Sequence, residues 1–582
     1  MRQSHHQRDE ARVCRRDRLI ASTDLNPKAK FGGRHAWQGP RQLNRHTWRW
    51  VVLTAGATQG SAGVGAAARG GEARPPALSL LQDLSGPFDP GHLESDSDTL
   101  DDLGLSQVVD GLTKGREDWD LRPLFLTRAT SVATVRYRQA VFRDLENEQV
   151  ADAMVGFCRS MTGYRELLGR IARRRHAPQQ GAWFLEAAEV YCSALRELAC
   201  QLETLELDSA GLLGWRDFLL GLTTSTQFSN LAREAASIRE QLDRVQYLVE
   251  VVGARVTVRR FMGEADYGEE LRAMFARFQQ GEARSHLFQL RVPPALSVVE
   301  ERVLDLVARL FPEPFAEVQR FWSVHRGFAD PTVLAVEREL QFYLSYREFI
   351  EPLRRARLEF CYPHVETDAR SERVLGGFDL GLAVRLAQRG QQVVTNDFEL
   401  AGEERLLIVS GPNQGGKTTL ARSFGQLHHL AGLGCPVPGR EASLLLCDEL
   451  LTHFDREERL EDLRGRLEDD LARVEEILGR ATARSVVILN ETFGSASLED
   501  GRRLGEAVVE RLIDRGVLGV YVTFIEELSS LSPATVSMVS QVDPGDPALR
   551  TFRVVRQQAD GLAYAMALAE RHGLTYSQLK RS

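Results

Sequence analysis

No stretch of about eighteen apolar residues occurs in the chain of 582 residues, so the sequence offers no membrane-spanning helix and no membrane partner is expected. The seven cysteines (Cys14, Cys158, Cys192, Cys200, Cys361, Cys435, Cys447) are scattered, odd in number and never spaced Cys-x-x-Cys. That excludes a disulfide framework and a cysteine-zinc site, and reads as small buried residues in a reducing, cytoplasmic compartment. No His-Glu-x-x-His occurs among the histidines, and the pair His428-His429 reads as helix surface or core rather than a metal site. The N-terminal segment lacks the apolar core of a secretory signal, and Asp9, Glu10 and Asp17 count against an Arg-rich targeting peptide. Positive charge is not in excess either. A net charge of −8 argues against a wholly basic nucleic-acid binder, though not against local basic patches. Length excludes a single core and predicts about two to four domains.

What is present falls into three parts. Residues 1–77 form a basic extension, with twelve Lys/Arg against four Asp/Glu in the first fifty. A Gly/Ala tract follows, from Ala55 to Gly71. With no sustained period of 2 or 3.6, this part is expected to be disordered. Residues 78–365 are dominated by helical spacing, as in Val132, Val135, Val141 and Leu145, or Leu231, Ala235, Ile238 and Leu242. Alternation around Gly253 predicts a small hairpin within 245–261. A long helix is expected over 330–358. In residues 366–582, the stretch 374–407 reads as short strands and turns.

Those lead into Leu406-Leu407-Ile408-Val409-Ser410, then Gly411-Pro412-Asn413-Gln414-Gly415-Gly416-Lys417-Thr418-Thr419. The spacing Gly-x-x-x-x-Gly-Lys-Thr is that of a phosphate-binding loop. Its glycines let backbone N–H groups curl inward around phosphate oxygens. Lys417 brings positive charge to the β- and γ-phosphates, Thr418 offers a hydroxyl to Mg²⁺, and the following helix points its positive end at the anion. The chain is therefore expected to bind a nucleoside triphosphate such as ATP.

Such a loop needs an acid at the end of a second strand. Leu444 to Glu449 ends in Asp448-Glu449, only 31 residues past Lys417. Ser485 to Glu491 ends in Asn490-Glu491, 74 residues past it, and runs on into a Gly/Ser-rich loop, a helix and the apolar strand Gly519 to Thr523. The second spacing is preferred.

These segments resemble the MutS family of DNA mismatch-repair ATPases. Gly411–Thr419 is similar to its Gly-Pro-Asn-x-Gly-Gly-Lys-[Ser/Thr]-Thr loop, and Val487–Gly501 to its acidic strand end and the Asp-Gly that follows. Val522–Leu528 resembles its Ala-Thr-His-x-x-Glu-Leu segment, and Gly561–Ala569 its C-terminal tail. Val135–Gln139 and Glu337–Tyr343 fit its lever region loosely. The resemblance covers roughly residues 95–582. It implies a multidomain α and α/β fold, with a helical lever and clamp region followed by a P-loop ATPase domain on a mostly parallel sheet and a helical tail.

It also implies a homodimer closing on DNA, with ATP and Mg²⁺ as cofactors. Glu491 would position the attacking water, Lys417 and Asn413 would meet the phosphates, and Thr418 and Asn490 would hold Mg²⁺. Asn396, before the loop's strand, would lie beside the base. Three departures matter. Asn490 replaces the family's Asp, Phe524 its His, and Gly465-Arg466-Leu467 falls where its Ser-Thr-Phe belongs. ATP binding with slow hydrolysis is the expectation.

The first ninety residues carry nothing like the family's mismatch-wedge domain, and no nuclease-like extension is expected. Phe184-Leu185-Glu186 matches the wedge letters, but its helical spacing marks core and surface. DNA contact is therefore expected to be with the backbone, through Arg255, Arg259 and Arg260 near the hairpin. The alternative is an ATP-gated protein-interaction scaffold with little DNA affinity. A transporter ATPase is disfavoured, because no Leu-Ser-Gly-Gly-Gln lies between loop and acid.

Overall fold

A computed structural model describes residues 19–21, 77–84, 92–94, 96–252, 255–263, 298–368, 371–454, 465–543, 545–546 and 549–558. The expected C-terminal tail at 561–569 and the hairpin tip at Gly253 lie outside these.

Between residues 132 and 355 the regular structure is mainly helical: α1 (Val132–Asp144), α2 (Glu148–Arg173), α3 (Ala177–Thr204), α4 (Ala210–Thr224), α5 (Thr226–Asp243), α6 (Val298–Leu310), α7 (Pro312–Val324) and α8 (Pro331–Arg355). The spaced apolar residues point inward, with Val135, Val141, Leu231, Ala235 and Ile238 all buried. Serine hydroxyls start two of these helices: Ser131 accepts from the Ala133 N–H and Ser225 from the Phe228 N–H, satisfying donors that have no partner in a first turn.

The chain divides into two compact units, one of residues 1–73, 159–200 and 219–330, the other of 74–158, 201–218 and 331–582.

In the first unit, Phe184, Tyr191 and Phe328 meet edge to face, with Phe328 5.3 Å from Tyr191 and 5.5 Å from Phe184. Phe184 and Leu185 belong to the core, as their helical spacing implied. The hairpin consists of β2 (Tyr247–Val252) and β3 (Arg255–Arg260), in register from Tyr247 opposite Arg260 to Val252 opposite Arg255. A short strand, β1 (Leu19–Ala21), pairs antiparallel with β3. It falls in the segment expected to be disordered, where an open sheet edge supplies the hydrogen bonds that local pattern does not. Arg255 and Arg260 are both exposed, and Arg260 donates to the Leu310 carbonyl at 2.8 Å and lies 4.9 Å over the Phe311 ring.

One carboxyl in this unit gives a pH prediction. Burial pushes Glu186 up to about 7, with Arg239 opposing, Glu189 adding to the rise, and Arg170 opposing. A folded-state value raised above the unfolded one gives stability that is present below about 4.5 and lost as pH rises through about 7. Glu186→Gln should therefore unfold at a higher temperature than wild type at pH 8 and lose that advantage at pH 5. The difference is expected to be roughly 1–3 kcal/mol. Thermal denaturation of the two proteins across this range checks it.

In the second unit, the chain from Ala77 to Leu81 is held by side chains of α1 and α8. Glu339 accepts from Ser79 Oγ and the Leu80 N–H, Tyr343 donates to the Leu80 carbonyl, and Arg138 donates to the Leu81 carbonyl. Phe142, Phe342, Tyr343 and Tyr346 of the same helices form a cluster of tilted and edge-on rings with Phe125. Because α8 is buried nearly all round from Leu340 to Tyr346, a one-sided apolar pattern understates its packing.

Two sheets follow. The smaller has the order β4 (His364–Glu366), β8 (Glu441–Leu445), β5 (Glu372–Gly377), β6 (Asn396–Leu400). The sequence read 374–407 as strands and turns, but α9 (Leu380–Gln388) forms within it, started by the Asp379 carboxylate on the Leu382 N–H at 2.6 Å. The larger sheet has the order β9 (Leu450–Phe454), β10 (Val486–Asn490), β11 (Leu518–Val522), β7 (Leu406–Ser410), β12 (Thr535–Val542), β13 (Arg550–Arg556). Every pair in it is parallel except β12 with β13. The strands β7, β9, β10 and β11 are buried along their whole length, as strands covered on both faces are, and β9 buries Thr452 and His453 among its apolar residues.

Helix α10 (Lys417–Leu433) follows β7. α11 (Arg466–Arg480) and α12 (Leu498–Asp514) contribute Val474, Ile477, Val508 and Val509 to a core shared with Leu406, Ile408, Val487 and Leu489. The charge-rich sequence Leu460 to Leu478 predicts a helix, and its start at 460–464 lies outside the described residues. His428 and His429 of α10 are core residues. His428 bridges Glu372 at 2.8 Å and the Phe424 carbonyl at 2.9 Å. Burial, with Arg128 beside it, holds His429 down at about 4, so it is neutral. Among the described residues no group of three His, Cys, Asp or Glu is placed to hold a metal, and no helix is long and apolar enough to cross a membrane.

Candidate functional site

The register of the large sheet aligns the carboxyl ends of its central strands. Asn490 lies opposite both Phe454 and Val522, and Val522 lies opposite Val409. At this edge the chain leaves β7 into residues 411–416, leaves β10 at Glu491 and leaves β11 at Thr523. Ligands of open α/β sheets bind in this crevice, at the carboxyl ends of the strands.

The loop between β7 and α10 turns sharply. Gly411 and Gly416 have φ of 112° and 98°, which residues carrying a Cβ strongly disfavour. Gln414 takes φ 59° without being glycine. Gly415 is required for a different reason, since a Cβ there would meet Ser540 Oγ at 2.1 Å. No side chain caps the N-terminus of α10, so its first N–H groups remain available to an anion.

Lys417 is buried and curls back over the loop. Its ammonium donates to the Gly411 carbonyl at 2.8 Å, the Pro412 carbonyl at 3.2 Å and Asn413 Oδ1 at 3.4 Å. Burial lowers its pKa from the ordinary lysine value, Glu491 opposes this, and Arg550 adds to it. Thr418 Oγ1 donates to Asn490 Oδ1 at 3.0 Å, so the loop's hydroxyl and the strand-end amide converge. These are two hard, neutral oxygens, a donor set that fits Mg²⁺ retaining several waters. Glu491 follows at φ 57°, with its N–H bonded to the Val522 carbonyl at 2.9 Å. A left-handed glutamate at a strand end stores backbone strain of the kind found at functional turns. Phe493, also left-handed at φ 65°, is buried beneath it, and Ser497 caps α12 on the Asp500 N–H. Thr419, next to Thr418, lies within the first turn of α10.

Asp448 and Glu449 lie elsewhere. Glu449 immediately precedes β9, and Asp448 accepts from Thr482 Oγ1 at 2.6 Å and Ser485 Oγ at 2.9 Å, just before β10. They occupy the amino edge of the sheet, one strand length from Asn490. Gly465 is the exposed N-cap of α11 and gives it no side-chain cap.

Asn396 acts through its amide on β13. Its Nδ2 donates to the Phe552 carbonyl at 3.2 Å, and its Oδ1 accepts from the Val554 N–H at 2.7 Å. This clasp holds Phe552 at φ 58° beside Gly416, with its ring half exposed. Three residues at the site carry no signal in the sequence. Ser540 of β12 donates to the Gly415 carbonyl at 2.7 Å, Arg550 of β13 donates to the Asn413 carbonyl at 3.1 Å, and Phe552 packs on the loop's end. All three come from strands more than a hundred residues later in the chain, and only the sheet order brings them back.

Residues 407–579 match the family description MutS domain V. The chain is 31% identical over 190 residues to the protein called Endonuclease MutS2 of Thermus thermophilus, covering 32% of this chain and 26% of that one. It is 35% identical over 141 residues to DNA mismatch repair protein MutS of Oleidesulfovibrio alaskensis, covering 24% of this chain and 16% of that one. A protein of the latter description from Erythrobacter litoralis is 35% identical over 157 residues, 27% of this chain and 18% of that one. The matched part thus spans about a quarter of the first relative's length and less of the others.

Proposed function

The chain belongs to the MutS family by its domain V, and on that premise we propose that it is an ATP-dependent DNA-binding protein of the mismatch-repair or recombination type. ATP binding and slow hydrolysis switch a homodimeric clamp on DNA in the cytoplasm. The observation that carries the reading is the convergence of Lys417, Thr418, Asn490 and Glu491 at one sheet edge, around a loop with the curvature a phosphate needs.

In this reading the loop N–H groups and the start of α10 receive the β- and γ-phosphates, and Lys417 leaves its loop carbonyls for them. Thr418 and Asn490 would hold Mg²⁺, which supplies charge neutralisation when bound. Glu491 orients the attacking water and takes its proton. Phe552, held by Asn396, forms the base side of the site. The helices over 78–365 serve as lever and the β2–β3 hairpin as clamp, with 366–582 as the ATPase part.

On DNA, Arg255 and Arg259 are hairpin cations proposed to meet phosphate. Replacing both by alanine is expected to weaken binding to all sequences alike and to reduce the salt slope by about 2. Gel binding to homoduplex, mismatched and branched DNA, with and without ATP, measures this. No binding to any of them at low salt would remove the DNA role. An ATP-dependent protein partner found alongside that result would establish the alternative, an ATP-gated scaffold.

A further inference from the structure

Lys417 has loop oxygens among its neighbours and an aromatic ring beside them. The ring of Phe524 lies with its centroid 4.6 Å from the ammonium nitrogen. Phe524 is half exposed, at 51%, so one side of the ring meets solvent while the other lies against the ammonium.

Its backbone is fixed on both sides. The Thr523 N–H bonds to the Val409 carbonyl at 3.0 Å, and Thr523 Oγ1 accepts from the Ile525 N–H at 3.1 Å. Ile525 packs against the core under the sheet. The main chain is thus held at the carboxyl end of β11, and rotation about χ1 and χ2 is the movement that would take the ring off the ammonium. The cation beneath is drawn from water, which strengthens its attraction to the ring face. With its three N–H groups directed at the Gly411, Pro412 and Asn413 oxygens, Lys417 must exchange those contacts and shed the ring to meet a phosphate.

We propose that Phe524 is the gate of the nucleotide site, resting on Lys417 through a cation–π contact and displaced by the terminal phosphates of an entering nucleotide. The proposal rests on Gly411–Thr419 being the phosphate loop. It gives Phe524 a part in the rate of nucleotide entry, separate from the chemistry of hydrolysis. It also explains why an apolar ring stands where polar groups gather. A ring over the ammonium blocks adventitious anions at little cost in stability, because a triphosphate with several negative charges competes for the cation and a single weak anion does not.

The test is stopped-flow association and dissociation of a fluorescent ATP analogue with the full-length chain as wild type, Phe524→Ala and Phe524→Leu. Leucine keeps most of the bulk and removes the ring face, so it separates cation–π attraction from simple obstruction. Both variants are expected to bind faster than wild type, by about twofold to thirtyfold, the range that a contact of this kind spans. Unchanged association in both overturns the gate. Faster association in Phe524→Ala alone also overturns it, since bulk and not the ring face then sets the rate. A folded wild-type chain that binds no nucleotide at all is a distinct outcome, for it takes away the phosphate-loop reading and the gate with it.

Discussion

Lys417→Ala is expected to lose nucleotide binding while remaining folded. The side chain's hydrogen bonds run to its own loop, to Gly411, Pro412 and Asn413, and not to the core beneath β7. Removing it therefore loosens the loop and leaves the hydrogen bonds of the sheet in place. The effect on an anion is much larger. Lys417 is the cation at the start of α10, and Arg550 is the other one acting electrostatically on it. Removing one partner of a desolvated charge pair costs about 2–5 kcal/mol, or roughly thirtyfold to several thousandfold in affinity. Equilibrium titration with a fluorescent ATP analogue reads this, with circular dichroism as the folding control. Because burial lowers the Lys417 pKa, wild-type affinity should also decline at a lower alkaline pH than a free lysine would dictate. A folded Lys417→Ala chain with wild-type affinity would show that the loop does not take phosphate.

The parts of this site that could be read from the sequence are those whose residues are contiguous. An apolar run, a glycine-rich turn and a Lys-Thr at a helix start specify strand, loop and helix locally, and β7, the loop and α10 follow in that order. Asp448 against Glu491 was harder, because each ends an apolar run. Spacing favoured Glu491, and the sheet places Asp448 before β10 rather than after it. The loop's outer wall was not legible. Ser540 fills the space that Gly415 leaves, Asn396 sets the conformation of Phe552, and Arg550 reaches Asn413. These pairings depend on the strand order of the sheet, which no local pattern encodes. The same limit applies to Ala77–Leu81, an extended segment held by tyrosine, arginine and glutamate side chains on helices far along the chain. It also applies to β1, whose pairing with β3 depends on a sheet edge more than two hundred residues away.

Glu491→Gln is expected to separate binding from turnover. Glutamine matches glutamate in shape, so the left-handed turn and its bond to the Val522 carbonyl should persist. What it loses is the charge and the basicity. The carboxylate works against a bound triphosphate by repulsion, so the variant should bind ATP at least as tightly as wild type. Turnover should fall by about 10²–10⁴-fold, the contribution of a positioned general base. Single-turnover hydrolysis under saturating ATP measures the chemical step free of product release. Asp448→Asn is the matching control. Asp448 accepts from Thr482 and Ser485 at the opposite edge of the sheet, so its loss should lower the melting temperature and leave the single-turnover rate unchanged. If Asp448→Asn slowed hydrolysis and Glu491→Gln did not, the acid would have been assigned to the wrong strand. The low wild-type rate expected here sharpens the measurement. Asn490 is neutral where a carboxylate would add charge beside the Thr418 hydroxyl proposed to hold Mg²⁺, and Phe524 offers no hydrogen bond to a phosphate or a water. On the proposed assignment Glu491 would be the main basic group left to the reaction, and its removal should expose nearly the whole of the catalysis that this strand end supplies.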